Sequence, residues 1–229
     1  MSNANRAIIR YFLQIGIFVF FFAASLFFSA GYTDWTMGWV FIAIVAASQI
    51  SIAIILMMRN PELMIERDIR KGKRDLDRIL TGVMTLFGPI SICIVAGLNN
   101  RYGWLPQISF TYQIIGVALA ILGSILPAWA MASNKFFYGV LRIEQEKNHS
   151  VCSSGAYQYV RHPGYLGAII FDLATPLILN SVWAFIPAIL TICAIVIRTS
   201  LEDKALQNGL DGYKNYAQQV RYRLFPAVW

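Results

Sequence analysis

Two polar segments of this sequence contain residues whose types and spacing suit the binding of a charged ligand. The first, residues 155–167, places Arg161, His162 and Pro163 immediately before an apolar run. Proline is favoured in the first turn of a helix, because the N–H that it lacks would have no partner there. Arg161 and His162 therefore lie just before a predicted helix N-terminus, whose partial positive charge favours an anionic ligand group. An interfacial belt of tyrosine and arginine, with glycines that pack helices, is the structural alternative.

The second segment follows the last apolar run and contains Arg198, Glu202 and Asp203. Arg198 and Glu202 are four residues apart, so they face the same side of a helix. Negative charge is unfavourable at the C-terminal end of a helix. Two carboxylates where a helix leaves the membrane therefore favour a cationic partner. A solvated helix end with an intrahelical ion pair is the alternative.

The rest of the chain consists mainly of apolar runs that must position these two segments. Of the 229 residues, 57% are hydrophobic and only 14% are charged, whereas about 25% are charged in soluble domains. Runs of about 18–25 apolar residues are long enough to cross a bilayer core of about 30 Å as helices. Such spans are predicted at residues 8–30, 37–58, 79–98 and 112–132. Residues 165–197 are too many for one span and are interrupted near Asn180, which predicts a tight hairpin of two helices.

These runs predict an all-α fold, a polytopic transmembrane helix bundle of about six spanning segments with a cytoplasmic loop and a C-terminal helix. We expect one membrane domain over residues 1–229. Within it, residues 8–132 would form four N-terminal spans, and residues 133–229 would contain the ligand-binding region, the terminal hairpin and the tail.

Basic residues are distributed very unequally between the two predicted membrane sides. With six spans, 18 of the 19 Lys and Arg residues fall on the side of the two termini, and the opposite side keeps only Arg101. This bias identifies the basic side, and with it both termini, as cytoplasmic. The fourth loop and the C-terminal tail can then build one site together. Because the basic residues flank spans, the net charge of +7 indicates contact with the bilayer rather than with nucleic acid.

Both polar segments continue into longer motifs. The first has Glu144 upstream and then reads His149-Ser-Val, followed by Gly155-x-Tyr157-x-Tyr159-Val-Arg-His-Pro-x-Tyr165-x-Gly167. The second runs from its acidic pair into Leu-x-x-Gly-x-x-x-Tyr-x-x-Tyr and Arg-Leu-x-Pro. Over about residues 144–226, this pattern resembles the isoprenylcysteine carboxyl methyltransferases and the related phospholipid methyltransferases of membranes. The Asn60-Pro61-Glu62 run resembles short prokaryotic members, so we expect a prokaryotic cell membrane rather than the endoplasmic reticulum.

The resemblance implies S-adenosylmethionine as methyl donor and a lipid-borne acceptor, such as a prenylcysteine-type carboxylate, that enters from the bilayer. It implies donor contacts at Tyr159, Arg161, His162, Tyr165, Leu166, Gly167 and Glu202. Arg198 is the candidate to orient an acceptor carboxylate, and Glu202 is the candidate base if the acceptor is an amine. No metal is expected, and the oligomeric state stays open.

Three other functions are compatible with the sequence. A phospholipid N-methyltransferase would use the same donor, and an NADPH-dependent sterol-type membrane reductase ends in a similar Arg-His-x-x-Tyr arrangement. A non-catalytic lipid-binding membrane protein would bind neither cofactor. The charged segment 59–78 is predicted to be a solvated connector, with a lid over the site as the alternative.

Overall fold

Helices account for all the regular structure in the part of the chain that the computed structural model describes, residues 3–59, 75–137, 149–226 and 228–229. In chain order the elements are α1 (Asn3–Ala30), α2 (Thr36–Arg59), α3 (Asp75–Gly82), a π-helical segment (Val83–Phe87), α4 (Gly88–Tyr102), α5 (Phe110–Ser133), a 3₁₀ turn (Gly155–Gln158), α6 (Pro163–Ile178), α7 (Phe185–Gly209) and α8 (Tyr213–Gln219). The predicted all-α class is confirmed. Most of the predicted charged loop, residues 60–74, and Glu144 lie outside the described residues.

The apolar helices confirm a multi-pass membrane protein. Five helical stretches are long and apolar enough to cross a bilayer, namely Ile8–Ala30, Thr36–Arg59, Leu76–Tyr102, Phe110–Ser133 and Phe185–Gly209. The one predicted segment not among these five is the first helix of the terminal hairpin, the apolar helix α6, which has 16 residues. At 1.5 Å per residue it is about 24 Å long, so it is shorter than a bilayer core of about 30 Å.

The predicted hairpin between α6 and α7 turns at Asn180. This residue has a positive φ of 52°, a conformation that asparagine tolerates better than most residues. Its carbonyl accepts a hydrogen bond from Asn99, and its side chain accepts one from the backbone N–H of Ile108. Ser181 is fully buried and its hydroxyl accepts a hydrogen bond from the backbone N–H of Ala184, at the start of α7. The turn is therefore fixed against α4, through Asn99, and against the loop between α4 and α5, through Ile108.

Glycines bring α5 and α6 into close backbone contact. A Cβ atom at Gly167 would lie 2.5 Å from the carbonyl oxygen of Gly123 and 2.5 Å from Cδ of Pro127. Gly116 is restricted in the same way, because a Cβ atom there would lie 2.8 Å from Cβ of Leu177. Small residues of this kind allow membrane helices to approach closely. The N-terminus of α6, with Arg161 and His162 just before it, is thereby fixed relative to α5.

The C-terminal tail returns to the segment before α6. The backbone N–H groups of Arg161 and His162 donate to the carbonyl oxygens of Tyr222 and Arg223, each at 2.9 Å. Tyr213 of α8 lies in an apolar cluster with Ala130 and Tyr157. Both predicted polar segments therefore meet at one end of the bundle.

Candidate functional site

Asp203 of α7 is the centre of a buried charge network. Its side chain is fully buried and accepts hydrogen bonds from five residues. Oδ1 lies 2.8 Å from Nε of Arg161, 3.1 Å from the hydroxyl of Tyr213 and 3.4 Å from Nε2 of His162. Oδ2 lies 3.2 Å from Nη2 of Arg161, 2.7 Å from Nε2 of Gln207 and 2.9 Å from Nε of Arg223. A buried carboxylate is tolerated when it is paired and hydrogen-bonded in this way. This Asp203 cluster joins the segment before α6 to α7, α8 and the tail.

Arg161 is engaged almost completely within the Asp203 cluster. Its Nε and Nη2 form the two-point contact with Asp203, a strong geometry for guanidinium and carboxylate. Its Nη1 donates to the carbonyl oxygens of Val220 and Arg221 at 2.9 and 2.8 Å. The side chain is 6% exposed. A direct contact between Arg161 and a ligand stays a prediction, and the geometry shows how this residue fixes the walls of the site.

His162 connects the Asp203 cluster to the first turn of α6. Pro163 occupies the first turn of α6, as the sequence predicts, and His162 is the capping residue. The imidazole is stacked on the Tyr165 ring, with centroids 5.8 Å apart and an interplanar angle of 17°. The backbone N–H groups of Tyr165 and Leu166 both donate to the carbonyl of His162. Part of the donor capacity expected at this helix end is therefore used within the helix.

Tyr165, Arg198 and Glu202 form a second group, which we name the Glu202 cluster. The Tyr165 hydroxyl donates to Oε2 of Glu202 at 2.6 Å. The guanidinium carbon of Arg198 lies 5.6 Å from the centroid of the Tyr165 ring, within cation–π range. Arg198 is buried whereas Tyr165 and Glu202 are partly exposed. The structure thus brings together the predicted residues of the two polar segments, with α6 supplying the phenol and α7 the two charges.

The remaining predicted residues lie around these clusters. Leu166 is partly buried against Ile195 and Leu224. Gly167 faces α5, where its missing side chain allows the helix contact with Gly123. Tyr159 is 64% exposed, and its ring lies 6.1 Å from that of Trp129. Whether Leu166, Gly167 and Tyr159 contact a ligand stays a prediction.

Several residues of the Asp203 cluster were not singled out from the sequence as site residues, among them Tyr213 and Arg223. Burial, followed by the charge of Asp203, raises the pKa of Tyr213 above its ordinary value. The phenol therefore stays protonated and donates a hydrogen bond to the carboxylate. The motif contained a signal that could have found them. Asp203 directly follows Glu202, so it must face another side of the helix and needs hydrogen-bond partners of its own.

The two clusters have different chemical capacities. The Asp203 cluster has its carboxylate surrounded by donors and holds backbone segments together. The Glu202 cluster presents a partly exposed carboxylate and a guanidinium about one turn apart on α7, together with the aromatic face of Tyr165 on α6. A carboxylate suits an ammonium group or hydroxyls, the Tyr165 face suits a cation, and the guanidinium suits an anion.

Residues 116–208 match the family model described as isoprenylcysteine carboxyl methyltransferase (ICMT) family. The predicted resemblance to this family is confirmed. The match begins within α5, upstream of the predicted start at residue 144, and it ends before α8. It therefore includes α6 and the Glu202 cluster but not the tail motif.

Curated proteins with isoprenylcysteine O-methyltransferase names are similar to this chain over part of their length. Protein-S-isoprenylcysteine O-methyltransferase B of Arabidopsis thaliana is 31% identical over 108 residues, which are 46% of this chain and 55% of that protein. Protein-S-isoprenylcysteine O-methyltransferase of Schizosaccharomyces pombe is 32% identical over 71 residues, 31% of this chain and 30% of that protein. The chain therefore spans at most about half the length of these two ICMT relatives. A solved structure of the eukaryotic intramembrane Ras methyltransferase ICMT is similar with a TM-score of 0.48 and 18% identity, covering 100% of this chain and 99% of that chain.

Proposed function

We propose that this chain is a membrane-embedded methyltransferase that transfers a methyl group from S-adenosylmethionine to the carboxylate of a lipid-borne acceptor, such as a prenylcysteine. The observation that carries the proposal is the Glu202 cluster beside the N-terminus of α6, within the segment that matches the ICMT family. The names of the relatives, which are O-methyltransferases of isoprenylcysteine, support a carboxyl acceptor.

The residues of the Glu202 cluster fit the chemistry of this methyl donor. S-adenosylmethionine carries an ammonium, ribose hydroxyls and a sulfonium. Glu202 is partly exposed and suits the ammonium or the hydroxyls, while the stacked rings of His162 and Tyr165 suit the adenine or the sulfonium. Arg161 is occupied by Asp203 and by backbone carbonyls. We therefore propose that it shapes the donor site, while Leu166, Gly167 and Tyr159 stay predicted donor contacts.

Arg198 is proposed to bind and orient the acceptor carboxylate. Its guanidinium is buried and lies beside Tyr165, one helical turn from Glu202. A cation at this position favours an anionic acceptor over the amine of a phospholipid. With an amine acceptor, Glu202 would instead have to accept a proton.

Catalysis by this chain would consist mainly of positioning and the exclusion of water. When bound, the donor supplies a methyl carbon activated by the positive sulfur, so that the bond from the acceptor oxygen forms as the carbon–sulfur bond breaks. Arg198 holds the carboxylate, Tyr165 and Glu202 hold the donor side, and the apolar helices keep the weak nucleophile out of bulk water. A carboxylate acceptor requires no general base.

We propose that the end of the bundle that contains the site, and both termini, face the cytoplasm, because the sequence places 18 of the 19 basic residues on that predicted side. The lipid part of the acceptor would reach the site from the bilayer. We retain the division into N-terminal spans at residues 8–132 and a donor-binding region at residues 133–229. Both relatives described above are eukaryotic, and a prokaryotic cell membrane stays a prediction.

The proposal is tested by incubating the purified protein with methyl-labelled S-adenosylmethionine and a panel of acceptors. The panel contains an N-acetylated prenylcysteine, its methyl ester, phosphatidylethanolamine and a total membrane extract. We expect label in a base-labile ester of the free acid and none in its methyl ester. Asp211→Asn, an exposed charge removed outside both clusters, serves as the matched control for Glu202→Gln. Label in phosphatidylethanolamine would contradict the carboxyl acceptor, and label in no component would contradict methyl transfer.

A further inference from the structure

Asp77 of α3 contributes a carboxylate to the Glu202 cluster from a distant part of the sequence. Its Oδ1 lies 3.0 Å from Nε of Arg198, 121 residues further along the chain. The side chains of Asp77 and Arg198 are only 12% and 6% exposed. Ion pairs on an exposed surface contribute little, but removal of one partner from a buried pair is costly. The contact therefore constrains the position of Arg198.

The helices around this contact keep it in place. Gly88 packs directly against the side chain of Thr191, because the position of a Cβ at Gly88 is already filled by that residue. Met84, in the π-helical segment, packs against the cluster that contains Ile195. Asp77 precedes Gly88, whereas Arg198 follows Thr191, so the α3–α4 segment runs antiparallel to α7. The Asp77–Arg198 contact lies further along this seam, at the end that carries the site.

Asp77 affects the ligand groups through Arg198. A carboxylate bonded at Nε fixes the plane of a guanidinium, because the five N–H donors of arginine form a rigid fork. The same guanidinium lies over the Tyr165 ring, and the Tyr165 hydroxyl bonds to Glu202. A continuous set of contacts thus runs from Asp77 through Arg198 and Tyr165 to Glu202.

We propose that Asp77 is a positioning residue that orients Arg198 for the recognition of a carboxylate on the acceptor. This inference rests on the proposed function and extends it to a residue outside the two polar motifs. Asp77 acts through Arg198 and does not contact the acceptor. Its removal leaves the positive charge of Arg198 in place but takes away the carboxylate that is bonded to its Nε.

The test measures whether the protein distinguishes a free acid from its ester. The probes are N-acetylated farnesylcysteine and its methyl ester, titrated into detergent-solubilised protein by calorimetry without any methyl donor. We expect the wild type to bind the acid at least about tenfold more tightly than the ester, about 1.4 kcal/mol. Asp77→Ala should lose most of this preference, and Asp77→Asn, which keeps an oxygen near Nε, should lose less. The charge-loss control Asp211→Asn should keep the full preference.

A double-mutant comparison separates positioning from a general structural effect. If Asp77 acts through Arg198, Asp77→Ala should cause no further loss of acid preference in an Arg198→Ala background, because interacting residues are not additive. The affinity for S-adenosylmethionine should change by less than about twofold in Asp77→Asn. Equal weakening of acid and ester binding, together with a lower melting temperature, would overturn the inference in favour of a purely structural pair.

The possible results keep this inference distinct from the proposed function. Unchanged acid preference in Asp77→Ala, or no preference in the wild type, would overturn the role of Asp77. A wild-type protein that prefers the acid, and loses this preference with Asp77→Ala, but transfers no labelled methyl group would contradict the proposed function and support the inference.

Discussion

Glu202 and Asp203 are adjacent carboxylates on α7, but their surroundings differ. Asp203 is fully buried and accepts hydrogen bonds from two arginines, a histidine, a tyrosine and a glutamine. Glu202 is partly exposed, and within the described part of the chain its one hydrogen bond comes from the Tyr165 hydroxyl. Successive residues of a helix point about 100° apart, which directs one acid into the protein and the other towards the proposed ligand site.

This difference indicates that the two acids have different roles. A fully satisfied polar network rigidifies the segments that it joins. A partly satisfied carboxylate on a rigid helix retains capacity to bind a ligand, and precise sites require such a rigid support. We therefore interpret Asp203 as the support and Glu202 as the ligand-binding group. Each of the following predictions tests one side of this comparison.

The largest expected effect is on stability, at Asp203. Asp203→Ala leaves Arg161 and Arg223 without their shared carboxylate, and loss of one partner of a buried ion pair costs about 3–5 kcal/mol. We expect a low yield of the folded variant in detergent and a melting temperature well below that of the wild type. Thermal unfolding followed by circular dichroism measures this, with Asp211→Ala as the control. A melting temperature equal to that of the wild type would contradict the structural role.

The next effect is on donor affinity, at Glu202. Glu202→Gln keeps the shape of the side chain but removes its charge, so binding of S-adenosylmethionine should weaken by at least about 30-fold, ~2 kcal/mol. The stability without ligand should change by less than about 1 kcal/mol, because Glu202 is partly exposed. The melting temperature without donor measures the stability, and its shift on addition of the donor measures the affinity. A variant that is strongly destabilised yet binds the donor normally would reverse the proposed roles of the two acids.

A smaller effect on binding is expected at Tyr165. Tyr165→Phe keeps the aromatic face but removes the hydroxyl that donates to Glu202. Donor affinity should fall by about fivefold, ~1 kcal/mol, which is typical for the loss of one hydrogen bond. Titration calorimetry measures the change. No loss of affinity would show that Glu202 does not require its phenol partner.

The smallest effect is expected at Tyr213, which donates to Asp203 in the same way. Tyr213→Phe should destabilise the fold by about 0.5–1 kcal/mol and leave donor affinity within about twofold. Burial raises the pKa of Tyr213, so the hydroxyl stays protonated below its ordinary pKa of about 10. Stability supplied by the neutral phenol is then fully present below that pH, and unfolding measured from about pH 6 to 9 should show a constant difference. A change in donor affinity without a change in stability would contradict the comparison.

The helices could be predicted from the sequence because a bilayer imposes a simple length and composition on each span. The hairpin at Asn180 was predictable for the same reason, since 33 apolar residues exceed one span. The length of α6 was harder to predict from the sequence. Its end is set by the left-handed Asn180 and by hydrogen bonds of the turn with α4 and with the loop between α4 and α5, which no local pattern reveals.

The meeting of the two polar segments was also predictable, because the charge bias places both on one membrane side. The distinction between their charged groups was not. Arg161 was expected to face an anionic ligand, yet it is bonded to Asp203 and to the backbone of the tail. Asp77 was equally inaccessible, since its partner Arg198 lies 121 residues away and belongs to no shared motif. Such pairings depend on how the helices pack.

The most direct test of the central claim is a calorimetric titration of S-adenosylmethionine into the wild-type protein, with NADPH titrated in parallel. We expect that one S-adenosylmethionine binds per chain, that Glu202→Gln loses most of this affinity, and that NADPH gives no heat of binding. Binding of NADPH alone, or equal donor affinity in the wild type and Glu202→Gln, would contradict the account.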